Sequence, residues 1–399
     1  MKTFDDFEVR LELGQLSQLA VDAWIEGQYA TAEHLLEQAE ATVQPLNDMA
    51  MLIAVRGLLA ENRRLQGKEM QALPTYAWLI GLTKDPVYNY LMEKEEILSL
   101  LSLAFTAFVQ CGIFLPEMTM KELLRVVDDG LRWLESIGKT SWAADLHRQK
   151  SDLLERQGDL EGAFQEIETA LALAFREPNH LPNLPKALET SVVECQLEMA
   201  NLLCKMGAYN EAIELLEEVL ATPDPMMQTY HSAYYSLAET YFELGETVAA
   251  QNVAQQSLIV AEGMESAEAM AASYHVLLKI YLRAGQIEDA TIAAANLWQW
   301  ARRDGSIEIC CIAFTNCAAV RLQQALIACA LSPKSTLPKR LPRKANRKLA
   351  KRRLRSARHF IDCARPLATK MDNSGRKIRH QDNLDKDSQM INQLAALLS

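Results

Sequence analysis

The sequence has few aromatic residues, 7% of its 399, and only 16 glycines and 13 prolines. Leu, Ala, Glu and Gln abound instead, and this mixture favours helix over sheet because straight-chain side chains lose little rotamer freedom in a helix. The opening MKTFDDFEVR carries acids and has no apolar run, so it does not read as a secretory signal. None of the eight cysteines forms a CxxC; they sit inside apolar helical patterns, as reduced, buried thiols of a cytoplasmic protein would. HExxH, GxSxG and His–Cys ligand spacings are absent from the sequence. Gly138-Lys139-Thr140 resembles the end of a phosphate loop, but Trp133 stands where its first glycine belongs. A helix–helix turn is expected there. Cys310, Cys311 and Cys317 have no fourth ligand nearby, and adjacent cysteines on a helix cannot converge on one ion. No metal, cofactor or catalytic constellation is expected.

The net charge of −11 hides an asymmetry. Residues 334–380 hold 17 Lys or Arg against Asp362 and Asp372, a balance of +15, while the rest of the chain has 24 basic and 50 acidic residues, a balance of −26. At this length the chain is too long for one compact core and suits two or three domains or an extended array.

Internal repetition decides for the array. GAYNEAIELLEEVL, residues 207–220, sets the pattern: Gly207, Tyr209, Ala212, Leu216, Val219. Copies follow at Gly27, Tyr29, Ala32, Leu36, Ala39; at Gly158, Leu160, Ala163, Ile167, Ala170; at Gly245, Thr247, Ala250, Ala254, Ser257; and at Gly285, Ile287, Ala290, Ala294, Leu297. Gly67, Glu69, Ala72, Tyr76 and Leu79 make a poorer copy. The central alanines step by 40 (Ala32 to Ala72), 49 (Ala163 to Ala212), 38 and 40. The 91 residues between Ala72 and Ala163 leave room for one degenerate hairpin over roughly 94–137. Each glycine would end one helix in the left-handed conformation, and each alanine would let the next helix approach its partner closely. The apolar steps of three and four bury against neighbouring units.

With these residues in register, the chain resembles the tetratricopeptide repeat family over roughly residues 10–300. First-helix residues fit in part: Leu16, Leu19 and Ala20; Tyr234, Leu237, Ala238 and Tyr241; Tyr274, Leu277, Leu278 and Tyr281. The family's usual unit is about 34 residues, so units near 40 correspond to its longer-repeat type. The resemblance implies an all-α, right-handed superhelical solenoid of antiparallel helix hairpins, about seven or eight by the period. It also implies a concave groove lined by first helices that holds a partner protein or peptide. Counting back from each glycine, as the family pattern implies, places Arg148, Asp152, Asn201, Lys205, an exposed Tyr235, Glu239, His275 and Lys279 in that groove. The family's clamp for carboxyl termini is matched only at Asn201, with Leu197 where its lysine belongs.

Two stretches interrupt the pattern. REPNHLPNLPK, residues 176–186, reads as a long proline-barred loop. ILSLLSLAFTAFVQCGIFL, residues 97–115, lacks charge and nearly reaches spanning length, yet Ser99, Ser102, Thr106 and Gln110 share a face and Gly112 ends it. A buried core helix is expected, and no transmembrane segment.

Beyond about residue 305 the repeat fades. The repeat array is assigned to 1–305, an irregular basic capping hairpin to 306–371, and a flexible linker with a short terminal helix to 372–399. In the hairpin, Ala350, Leu354, Ala357, Ile361 and Ala364 form one buriable stripe. Arg347, Lys348, Lys351, Arg352, Arg353, Arg355 and Arg358 occupy the other faces and make a candidate basic surface. That segment would meet nucleic acid, an anionic membrane surface or an acidic protein, or dock on its own acidic chain. Phe360 alone interleaves the arginines, so base stacking has little to work with. The expected function is a non-catalytic scaffold or adaptor, with nucleic-acid association through the basic hairpin as the alternative.

Overall fold

In the computed structural model Gly207 lies at φ +85°, between α9 (Val192–Met206) and α10 (Tyr209–Ala221). A side chain there would be pressed against its own backbone, so glycine alone makes the reversal without strain. The other five hairpin glycines read from the sequence share this conformation, with φ between +70° and +88°. Gly138 does too, as a helix–helix turn, at φ +71°. Behind each predicted hairpin glycine the second helix presents its central alanine, and Ala32, Ala72, Ala163, Ala212, Ala250 and Ala290 are each 0% exposed.

The structure describes residues 2–46, 48–113, 115, 117–176, 192–222, 226–329, 331, 346–370 and 375–398. Among these are seventeen α-helices and no strand. They form two compact units, Met1–Cys195 and Gln196–Ser399. The proline-rich loop expected over 176–186 lies outside the described residues from 177 on, as does the basic loop over 332–345.

The first unit stacks four hairpins: α1 (Lys2–Ile25) with α2 (Tyr29–Val43), α3 (Met49–Leu65) with α4 (Glu69–Thr83), α5 (Glu95–Gly112) with α6 (Met120–Ser136), and α7 (Ala144–Gln157) with α8 (Leu160–Arg176). The third is the degenerate hairpin that the 91-residue interval called for. In α5, Ile97, Leu101, Ala104, Phe105 and Val109 are buried, and so are the polar Ser99, Ser102 and Thr106. Phe105 stacks on Trp133 of α6 at 5.8 Å between ring centres. At Gly112 a Cβ would stand 2.5 Å from Leu123, so this glycine ends α5 by giving room rather than by a left-handed turn. By length and composition α5 and α15 (Ile307–Ala328) could each cross a membrane; α5 instead lies in the core of this unit.

Polar contacts join the hairpins. Glu33 on α2 accepts from Arg63 of α3 (2.9 Å) and Lys68 (2.5 Å). Burial alone would raise the Glu33 carboxyl, but Lys68, then Arg63 and Gln66, overcome it and hold the group at about 2. Deeper in, Tyr76 of α4 donates to Glu61 of α3 (2.8 Å), which also pairs with Arg64 at 2.5 Å. Burial, then the Glu61 charge, pushes the Tyr76 phenol far above its usual range.

The second unit holds α9 from Gln196 on, then α10, α11 (Met227–Leu244), α12 (Thr247–Gly263), α13 (Ala267–Ala284), α14 (Ile287–Asp304) and α15, each of the last five packing on its predecessor. α16 (Arg347–Lys370) lies on α15, with Ala350, Leu354, Ala357, Ile361 and Ala364 all buried as the stripe required. The terminal segment differs from expectation. Residues 372–374 lie outside the described ones, and one helix, α17 (Gly375–Leu398), runs where a linker and a short helix were expected. Leu384, Ile391 and Leu398, seven apart, with Leu394, bury one face of it against the α15–α16 core. Among the described residues there are four hairpins in each unit and one further helix, α17, in the second.

Replacing Gly207 by Ala should destabilise the second unit by about 1–2 kcal/mol, since αL is that costly for a residue with a Cβ. Gly14→Ala, inside α1 with open space around its Cβ, should instead be neutral or stabilising by up to about 1 kcal/mol. Hydrogen exchange at the amides of α9–α12 and of α1–α3 separates the two.

Candidate protein-binding face

The first helices of the second unit, α9, α11, α13 and α15, carry most of the residues assigned to a groove. Side chains one repeat apart on successive first helices meet. Lys279 of α13 pairs with Glu239 of α11 at 2.7 Å. Asn316 of α15 donates from Nδ2 to His275 Nδ1 of α13 at 3.0 Å and to its own helix at Ile312. Cys204 of α9 lies 2.8 Å from the Thr240 hydroxyl of α11. Arg283 of α13 donates to the Phe242 carbonyl of α11, with its guanidinium 3.4 Å from that ring and Lys279 5.1 Å from it. These contacts make a polar ladder across α9, α11, α13 and α15.

Beneath the ladder runs a buried polar chain. His231 of α11 donates from Nε2 to the Ala269 carbonyl (3.1 Å) and lies 3.0 Å from the Ser273 hydroxyl of α13; Ser273 is 2.9 Å from Ser257 of α12. Burial lowers the His231 imidazole below its ordinary 6.5, partly offset by the Ala269 bond. The ring is therefore a neutral donor at physiological pH.

The assigned residues fare differently. Glu239, Lys279 and His275 come together in the ladder. Asn201 is half-buried and Lys205 exposed on α9. Tyr235 was expected to be exposed and is not: it is half-buried and packs on the Ala238–Phe242–Val276 cluster, which anchors its ring. Arg148 and Asp152 lie on α7 in the first unit. Arg148 is 3.9 Å from Asp145 and Asp152 pairs with Arg156, each on its own helix. Beside them His147 and Lys150 converge on Glu166 of α8 at 2.6 and 3.0 Å. Burial would raise that carboxyl, but hydrogen bonds from His147 and Lys150 lower it.

Sequence reasoning passed over Asn316, Arg283, Phe242 and Thr240. For the first three the signal was present: 239 to 279, 275 to 316 and 242 to 283 are separations of 40 or 41, the repeat length itself, whereas Thr240 meets Cys204 at a separation of 36. On the basic hairpin, Arg347, Lys348, Lys351, Arg352, Arg355 and Arg358 are exposed and Arg353 is half-buried. Burial, then the neighbouring Arg321 and Arg352 charges, lowers the Arg353 guanidinium. Among the described residues α16 makes one ion pair, Arg365 with Asp385 of α17 at 3.1 Å. All eight cysteines are unpaired thiols, and burial pushes Cys111 to about 12 and Cys317 to about 11, away from nucleophilic reactivity.

Lys279→Glu should cost about 1 kcal/mol by setting two carboxylates side by side, and the Glu239→Lys, Lys279→Glu swap should recover most of it. The pair is about a third exposed, so its own worth is about 0.5 kcal/mol. A double-mutant cycle in urea measures both. His231 is neutral in the fold and charges on unfolding below its ordinary 6.5, so the second unit should lose stability as pH falls through that value toward the lowered one. Comparing urea midpoints at about pH 7.5 and 5 for wild type and His231→Gln should show a smaller loss in the variant.

No protein-family model matches the sequence, and no curated protein matches it. Solved structures are similar to it. The apo form of the quorum sensor NprR from B. thuringiensis is 11% identical, with a TM-score of 0.57 over 99% of each chain. A Rap protein complexed with Competence and Sporulation Factor is 15% identical, with a TM-score of 0.50 over 98% of each chain. A Signal Transduction ATPase with Numerous Domains from Pyrococcus horikoshii, with a tetratricopeptide repeat sensor, is 14% identical at a TM-score of 0.51, over 72% of this chain and 42% of that one. At such identities the likeness is one of fold, and the fold of this chain is the tetratricopeptide-like stack of helix hairpins.

Proposed function

We propose that the chain is a non-catalytic scaffold that holds a partner protein or peptide against the first-helix face of its second unit. The observation that carries this reading is the cross-repeat ladder. Glu239 with Lys279 and His275 with Asn316 keep polar side chains in fixed positions, and the cluster beneath Tyr235 does the same for an aromatic anchor. A face ordered before binding loses less conformational entropy when a partner arrives. Tyrosine, half-buried with its ring held, is the residue type that carries much of the energy at such surfaces.

The same fold in a Rap protein has been solved in complex with Competence and Sporulation Factor, which is in keeping with a macromolecular partner here. Ionisable groups pair within the second unit's ladder (Glu239 with Lys279) and, separately, within the Glu166 cluster of the first unit, and burial raises the thiols that shift, which supports a binding rather than a chemical role. Eight unpaired cysteines suit a reducing cytoplasm, where we place the chain.

Affinity capture with wild type beside a Tyr235→Ala, His275→Ala variant tests the face. The variant should lose partners that wild type retains, with at least a tenfold fall in affinity for any one purified. Retention of the same partners at equal affinity by a variant of unchanged helicity would remove this face from the reading.

A further inference from the structure

The last two helices leave a cavity with an uneven lining. Arg365 pairs with Asp385, and Arg358 donates to Asn392 at 2.7 Å, so α16 and α17 run antiparallel. Past Asn392, toward the end of α17, lies an open-sided groove of about 260 Å³. Its apolar floor is Leu354 from α16 and Ile391, Ala395 and Leu398 from α17. One wall carries Lys351, Arg355 and Arg358, at i, i+4 and i+7 on a single face of α16. These three cations are exposed, and among the described residues none is in an ion pair.

The lining narrows the occupant. A row of three cations spans roughly 10 Å along the helix, at 1.5 Å per residue, so a single-headed amphiphile would answer only one of them. A nucleic-acid strand could meet the row, but its phosphates would then lie beside aliphatic side chains, with no aromatic ring on the floor to stack a base. The volume is just below the roughly 300–1,000 Å³ of small-molecule sites. It suits a few inserted aliphatic side chains. An α-helix with an apolar stripe and a flanking row of acids repeats both periods of the groove, since its own i, i+4 and i+7 positions recur at the same rise.

We propose that this groove takes an acidic amphipathic helix of a partner protein, its apolar stripe on Leu354, Ile391, Ala395 and Leu398 and its carboxylates along Lys351, Arg355 and Arg358. The partner helix lies across the end of the stack as one further helix of it. The site is separate from the first-helix face and stands whether or not that face binds.

The test uses the full chain and a fluorescent, end-blocked synthetic peptide with leucines at i, i+4 and i+7 beside a row of glutamates, read by anisotropy at low salt. A scrambled peptide of the same composition, decanoate and a single-stranded oligonucleotide serve as comparison probes. The amphipathic peptide should bind at least tenfold more tightly than the scrambled one. Lys351→Glu with Arg355→Glu, and separately Ala395→Trp, which fills the groove, should each weaken it at least tenfold. Arg347→Glu with Lys348→Glu, the same charge change off the groove, should weaken it less than threefold. Circular dichroism checks that each variant keeps its helicity, and the two groove variants fail differently if only one misfolds. Equal binding of the scrambled peptide or the oligonucleotide, or an equal loss in the off-groove variant, would reduce the site to a general polyanion surface and overturn the proposal. Displacement of the peptide by decanoate at comparable affinity would assign the cavity to a lipid anion. Groove-dependent self-association in sedimentation would assign it to a second copy of the chain; either result also overturns it.

Discussion

The structure depends on how closely two helices can approach where they cross. At Ala212 and its five counterparts the second helix of a hairpin presents a methyl group and nothing more, and each of those methyls is wholly buried. A larger side chain there would push the helices apart and open the packing on both sides, because interiors are close-packed and absorb added volume poorly. The left-handed glycine before each alanine matters for the same reason. It brings the second helix back at once, so that the alanine falls at the crossing. No hairpin buries its apolar face alone, and stacking completes each one.

Once that spacing is regular, first helices of neighbouring repeats lie side by side, and long polar side chains have a partner at one period's distance. The ladder through Glu239, Lys279, His275 and Asn316 follows from this geometry. The first unit uses the same relation for cohesion: the acids of α2 meet Arg56, Arg63 and Lys68 of the next hairpin. Repetition thus supplies both the core and the orientation of polar groups above it.

Much of this was legible in the sequence because it rests on short-range rules. Glycine, small residue and apolar steps of three and four are local, and they located even the α5–α6 hairpin, which lacks the motif, through the interval it fills. The stripe of α16 was readable for the same reason. What escaped depended on a partner helix. In α17, Leu384 stands among mostly hydrophilic residues in the sequence, and its burial against the α15–α16 core is a contact that composition does not announce. Tyr235 looked exposed because its position was counted along one helix, whereas the next repeat half-covers it. The seven cations over 347–358 read as one surface until α17 set Lys351, Arg355 and Arg358 beside an apolar floor and left Arg347, Lys348, Arg352 and Arg353 outside it.

The constancy of the 40- and 41-residue separations bears on how such a chain can change over time. A residue inserted within α12 would turn everything after it on that helix by roughly 100°, carrying Ala254 or Ser257 off the crossing. A residue inserted between hairpins would turn nothing. Length can therefore vary at the joints and not within the helices, and the 49-residue step between Ala163 and Ala212 is where this chain has used that freedom.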